Sequence, residues 1–424
     1  MSALPAGGAG MSASASAAAA SAVVGKGAYG LVLKPALPNF YNDAWHEYPD
    51  NVTKLFFKKK QYNEIVKLAP NISTILGANN GHRISTYRHK YKTKNLPANI
   101  QPLTKLNAEE ELFPVRMPDL GVSMDRVYLP ENLGSLKKVP VSVLLTQILK
   151  LIQQVKSIKD HGYIHGDIKP ANVMIRPTDG TMTLIDFDML MPRDRFQLSY
   201  PFGYYCHPPE TLKFFENKYR ARGVDMGKAN LSYVTNFQGA FAPAVVKLHP
   251  PSVLPIPEFT SMVRNVAEAN YIQIQRRRKT IDDLLQTFDS FGLAMTLLTV
   301  LETLYPECVV PAELLTEAYK EFFKGQLVSG ELTTGENPDA VTTALLSLTA
   351  NVLIPMREFS ILRRMTIDEA FAQVTAIVTA YQTSVASGEG AIGGGSVSAA
   401  VRGGGASNTR RARRTRRQQR KSPR

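Results

Sequence analysis

Apolar side chains recur at helical spacing between Val143 and His161, at Val143, Leu144, Ile148, Leu151, Ile152, Val155 and Ile158. That period predicts a long helix with one buried stripe. The longest apolar run lies near Phe291–Leu301. It falls short of the roughly 20 residues a membrane crossing needs, so it reads as a helix buried inside a soluble core. Toward the N-terminus the period changes. Val52, Lys54 and Phe56 alternate with their neighbours and share one face of a predicted strand. Val24 to Val32 reads as strand, glycine turn, strand. Gln61–Leu68 is helical in pattern and is expected to end before Pro70. Leu112–Gly121 begins as a strand. Residues 70–110 are polar, Asn-rich and basic, and yield no assignment. Near 213–280, Pro243, Pro250, Pro251, Pro255 and Pro257 argue against regular structure in the middle.

The candidate chemistry is concentrated in His165-Gly166-Asp167-Ile168-Lys169-Pro170-Ala171-Asn172, followed by Leu184-Ile185-Asp186-Phe187-Asp188. A carboxylate, a lysine two positions on, an amide five positions on and a second acid supply what phosphoryl transfer from a nucleotide requires. One carboxylate orients the attacking hydroxyl and accepts its proton, and one cation offsets charge on the moving phosphate. An amide and a carboxylate offer hard oxygen ligands to magnesium. The plainer reading makes His-Gly-Asp a turn and Ile-Asp-Phe-Asp a strand end. The paired spacing favours the chemical one.

These strings resemble the protein kinase family. The resemblance implies an α+β, bilobal fold with a small β-rich N-lobe, a mainly helical C-lobe and ATP between them. It makes Asp167 the catalytic base, Lys169 the contact to the transferred phosphate, and Asn172 and Asp186 the Mg2+ ligands. Val24, Gly25, Lys26, Gly27, Ala28, Tyr29, Gly30 and Val32 match the glycine-rich loop, where backbone amides approach phosphate unobstructed. Lys54 matches the lysine that contacts the α/β phosphates. Glu64, the one glutamate on the Gln61–Leu68 stretch, is its expected ion-pair partner. Val52, Met117 at the gatekeeper position, Asp119 and Leu120 at the hinge, and Met174 on the pocket floor would surround the adenine. Each of these has a bland alternative: strand core for the valines and methionines, an exposed surface for Lys54 and Glu64.

Pro208-Pro209-Glu210 resembles the Ala-Pro-Glu close of a peptide-binding activation segment. A buried Glu210 requires a cation, because an unpaired buried carboxylate is costly. Arg363-Arg364-Met365-Thr366-Ile367-Asp368-Glu369-Ala370 resembles the arginine-containing start of a late C-lobe helix, and that resemblance makes Arg364 the candidate partner. Asp289-Ser290-Phe291-Gly292 resembles the opening of the central C-lobe helix, and Asp289 is expected to bond the catalytic-loop backbone. The Glu210-to-Asp289 gap is long for the family, so residues near 213–280 read as an insertion, either shaping substrate binding or lying as a solvated loop. Gly166 stands where many kinases carry arginine, which implies no switching by activation-loop phosphate. Asp-Phe-Asp replaces Asp-Phe-Gly. Aminoglycoside and choline kinase-type phosphotransferases share both departures and form the alternative. Lys169-Pro170, the glycine loop and Pro-Pro-Glu favour a serine/threonine protein kinase acting on protein substrates. A catalytically silent scaffold is the third reading.

Composition adds bounds. The chain has 424 residues and 44% hydrophobic content, enough for a two-lobed domain with extensions. Its two cysteines, Cys206 and Cys308, form no metal or disulfide framework, which points to a reducing, intracellular compartment, cytoplasmic or nuclear. The resemblance extends to kinases of large DNA viruses, which adds virion association to the expectations. Residues 1–22 are Ala/Ser/Gly-rich and read as disordered, 23–120 as the N-lobe, 121–382 as the C-lobe, and 383–424 as a Gly/Ser linker with an Arg-rich tail. The net charge is +14, and residues 401–424 hold ten basic side chains and no acid, leaving +4 for the rest. Such an arm suits nucleic acid or another polyanion.

Overall fold

A computed structural model describes residues 22–27, 30–34, 36–37, 51–76, 85–86, 91–96, 98–195, 206–211, 265, 267–270, 272, 280–305, 336–358 and 361–386. Ala28 and Tyr29, most of the 213–280 segment, Cys308, the N-terminal residues 1–21 and the Arg-rich tail lie outside them.

The N-terminal region is an antiparallel sheet. β1 (Ala22–Gly27) and β2 (Gly30–Lys34) form the first hairpin, β3 (Asn51–Phe56) follows, and β4 (Ser85–Thr86), β5 (Tyr91–Lys92) and β6 (Glu111–Pro118) complete it. The order is β1-β2-β3-β6-β4, with β5 also paired to β6. Alternation sends Leu31, Leu33 and Leu55 into a cluster with Leu112, Tyr91 and Ile100, while Phe56, Phe113 and Val115 form a second cluster with Ile65.

Ile65 belongs to α1 (Lys59–Leu76), which corrects the sequence expectation in one respect: the helix does not stop before Pro70 but carries it inside. An interior proline costs about 3 kcal/mol. Beyond it Ile72, Ile75 and Leu76 are buried in the main helical core, and each is worth about 1.5–3 kcal/mol, so burial outweighs the defect. Ser157 donates to the Ile75 carbonyl and fixes that end.

α2 (Gln101–Thr104) precedes β6. After β6 the chain crosses to β7 (Val122–Ser123), α3 (Pro130–Leu136) and α4 (Val141–Asp160). α4 buries the predicted stripe at Leu144, Ile148, Leu151, Ile152, Val155 and Ile158. Its N-terminus is capped from far along the chain: Glu336 accepts hydrogen bonds from the amides of Val141 (2.7 Å) and Ser142 (3.0 Å) and from the Tyr381 hydroxyl (2.9 Å). β8 (Tyr163–Ile164) pairs with β11 (Met191–Pro192). Between them β9 (Val173–Ile175) and β10 (Met182–Leu184) form a small sheet with β7.

α5 (Thr280–Leu304) runs through the core of the C-terminal region, packed by α6 (Pro338–Leu348), α7 (Ile354–Met356) and α8 (Ile367–Ala386). α5 starts before Asp289, so that acid sits inside the helix and not at its opening. α8 continues to Ala386, past the boundary expected at 382. Among the described residues one helical stretch, Pro338–Met356, is long and apolar enough to cross a membrane by length and composition alone. Its Val341, Leu345, Leu348, Val352 and Leu353 lie in the protein core. The whole is a mixed α+β architecture, a sheet-based N-terminal region and a helical C-terminal region, consistent with a kinase-like bilobal fold.

Candidate active site

The catalytic-loop stretch sits between β8 and β9, held from beneath by α5. Asp289, buried in α5, accepts from the backbone amides of His165 (2.8 Å) and Gly166 (2.9 Å). Burial pushes its carboxyl up, against the pull of His165 and of these amides. The close approach depends on Gly292, where a Cβ would come within 2.6 Å of the Ile168 carbonyl. Gly166 has φ +79°, a left-handed conformation that glycine adopts without strain.

His165 is also buried. Its Nε2 lies 3.0 Å from the Ile185 carbonyl, and its Nδ1 accepts the Asp167 amide at 3.3 Å, so the imidazole carries its proton on Nε2. One ring thereby links the loop of Asp167 to the strand end that carries Asp186. Asn172 spends its amide nitrogen on Asp167, donating to the backbone carbonyl (2.8 Å) and to Oδ2 (2.9 Å). Lys169 Nζ donates to the same Oδ2 at 2.7 Å. Burial would raise the Asp167 carboxyl, but His207 and the charge on Lys169 prevail and hold it below the ordinary carboxylate value.

Asp186 has φ +62°, uncommon for a residue with a side chain. That turn brings its Oδ1 to 3.4 Å from Lys54 Nζ, on β3. Lys54 also lies over the Phe56 ring, 5.0 Å from its centroid. The expected Lys54–Glu64 pair is not formed. Glu64 is exposed, at the edge of the α1 face centred on Ile65, Ile72 and Leu76, and the acid that meets the ammonium is Asp186. Glu64 instead adds its field to Asp188. Burial, opposed by Lys54 and reinforced by Asp186, Glu64 and Asp167, pushes Asp188 up to about 6. Asp188 Oδ1 is buried with no hydrogen-bond partner.

This acid-rich corner, with an orphaned carboxylate oxygen, fits a divalent cation. Asp186 and the side-chain carbonyl of Asn172, whose nitrogen is already committed, are the oxygen donors that would hold it. Among the described residues no three His, Cys, Asp or Glu side chains converge as a metal group. Protein oxygens would therefore be supplemented by phosphate and water, as magnesium prefers.

The residues expected to face a nucleotide lie on the N-terminal sheet, at the crossing that follows it and on β9. Gly25 pairs with Val32 across the β1–β2 hairpin, Gly27 with Gly30, and Val52 with Met117 across β3–β6. Lys26 and Val24 are exposed, and Arg126 donates to the Val24 carbonyl at 3.1 Å. Asp119 pairs with Lys34 and accepts the Gly121 amide at 3.0 Å, so its side chain ties the crossing between the two regions. Leu120 is half-buried beside it, and Met174 lies on β9.

Residues 126–197 match the family model of the Phosphotransferase enzyme family (APH). That family lies within the protein kinase-like superfamily, and the match points to phosphoryl transfer. The matched stretch includes Asp167, Asn172 and Asp186 and ends before Glu210. No curated protein matches the chain.

Glu210 and Arg364 meet in a fully buried pair, NH1 to Oε1 at 2.7 Å and NH2 to Oε2 at 3.1 Å. Arg364 also donates to the Glu358 carbonyl and lies over Phe291. Two participants escaped the sequence reading. Asn270, inside the presumed insertion, donates to Glu210 Oε2 at 2.9 Å and accepts the Ile361 amide at 3.3 Å. His207 is buried with Nε2 3.7 Å from Asp167 Oδ1. No spacing rule marks either residue. The one available signal was that a buried glutamate needs more than one donor.

Proposed function

We propose that this chain transfers the γ-phosphoryl group of ATP to serine or threonine hydroxyls of proteins. The observation that carries the reading is convergence: residues 132 apart in sequence, Lys54 and Asp186, stand 3.4 Å apart, with Asp167 and Asn172 bonded to one another in the same corner. In this reading Asp167 orients the hydroxyl and takes its proton, and Lys169 steadies the phosphate. Lys54 binds the nucleotide phosphates. Gly25 to Gly30 cover them, while Val24, Val32, Val52, Met117, Asp119, Leu120 and Met174 frame the adenine. Magnesium, when bound, neutralises phosphate charge, and Asn172 and Asp186 hold it. The preference for a protein acceptor rests on Glu210: a segment anchored by a buried ion pair next to the catalytic carboxylate suits an extended peptide. The Arg-rich tail adds affinity for a polyanion.

The test is labelled-ATP transfer to a panel of proteins, aminoglycosides and choline, by wild type and Asp167→Asn. Label on protein serine or threonine, abolished in the variant, is expected. Label confined to the small molecules would overturn the acceptor assignment, and equal incorporation by both chains would reject Asp167 as the base.

A further inference from the structure

The carboxylate of Asp167 is held unevenly. Lys169 and Asn172 both bond Oδ2. Oδ1 faces His207, whose Nε2 is 3.7 Å away, a few tenths beyond a hydrogen bond. His207 is 3% exposed. Its ring packs against Phe288 of α5 with centroids 5.7 Å apart. The same helix supplies Asp289, which fixes the loop carrying Asp167. His207 stands three residues before Glu210, and Glu210 is immobilised by Arg364 and by Asn270. A chain of contacts thus runs from the 213–280 segment through the buried ion pair to the second oxygen of the candidate base.

We propose that His207 is a positioning residue for Asp167, its imidazole closing on Oδ1 while Lys169 and Asn172 hold Oδ2, so that the carboxylate keeps the orientation needed to receive a hydroxyl proton. The inference rests on the phosphotransfer reading given above. Catalytic hydrogen bonds are commonly long before substrates bind and shorten in the reacting complex. The 3.7 Å gap is of that kind. It also gives the residues around Asn270 a function: they set the position of a side chain at the reaction centre, a task that a solvated loop could not perform.

The experiment compares the full-length chain with His207→Leu and His207→Gln. Leucine removes the ring nitrogen but keeps apolar bulk, while glutamine retains a donor. His207→Leu should lower kcat by about 10–100-fold with the KM for ATP within about twofold, and His207→Gln should recover most of the loss. Wild-type kcat in His207→Leu, or equal loss in both variants at equal thermal stability, would overturn the proposal. Histidine-selective NMR reads the contact without turnover. The His207 ring signals should shift in Asp167→Asn while those of exposed His161 stay put. Unmoved His207 signals would refute the contact itself. A protein that transfers no phosphate but shows the shift would instead overturn the functional reading and leave the contact standing.

Discussion

Replacing Arg364 with alanine should be among the most damaging single changes available to this fold. Arg364 and Glu210 have side chains with 0% exposure. The substitution removes two charge-assisted bonds, at 2.7 and 3.1 Å, and leaves Glu210 with the Asn270 amide at 2.9 Å among the bonds described. Breaking one side of a buried pair costs about 3–5 kcal/mol, because the remaining charge has lost its solvent and its partner. At about 2–4 °C per kcal/mol for large domains, the melting temperature should fall on the order of 10 °C. Arg364→Lys should keep part of the stability, since an ammonium restores charge but not the two-pronged geometry. In a cycle of wild type, Glu210→Gln, Arg364→Ala and the double variant Glu210→Gln/Arg364→Ala, the double should be less destabilised than the sum of the two singles by about 2 kcal/mol. Calorimetry and urea unfolding of the four proteins measure the cycle. A cost below about 1 kcal/mol for Arg364→Ala, or strict additivity, would refute the view of the pair as a structural clamp.

Glu336→Ala should destabilise by about 1–2 kcal/mol, because the first amides of α4 lose their acceptor and Tyr381 its partner; thermal melts check this. Glu302 is buried in α5, and burial, opposed by the charge of Arg357, pushes its carboxyl up to about 7. The unfolded value is about 4.3, so the folded state binds the proton more tightly between those two values. Stability from this group is therefore lost as pH rises from about 4.3 to about 7. Glu302→Gln should match wild type near pH 4 and exceed it at pH 8, and melting temperatures across that range would show the opposite if the sign were wrong. Deleting residues 401–424 removes ten positive charges. It should weaken heparin and DNA binding and flatten its dependence on salt, measured by fluorescence titration; unchanged affinity would count against the tail.

What could be read from sequence was what local chemistry dictates. The catalytic-loop spacing is short-range and fixed by its task. The Glu210–Arg364 assignment came from the likeness of both strings to the kinase pattern, with electrostatics adding only that a buried acid requires a cation. The long stripe of α4 was visible in its period. Other features depend on tertiary balance. Pro70 is tolerated because three distant burials outweigh it, and no local rule gives that sum. The start of α5 before Asp289 was hidden by a polar, basic approach. Glu64 was assigned by elimination within one helix, whereas the partner of Lys54 is fixed by a left-handed turn 132 residues away. Asn270 and His207 carry no pattern, and their importance comes only from what they touch.

The reach of α1 has a mechanical consequence. Its first half is wedged under the sheet at Ile65, and its second half is rooted among the large-lobe side chains at Ile72, Ile75 and Leu76. A rod embedded at both ends cannot swing outward as a lever without tearing three aliphatic side chains from their sockets. In the proposed phosphotransfer reading, opening of the site would fall to the strands rather than to this helix, whose weakest point is Pro70, where a backbone donor is missing.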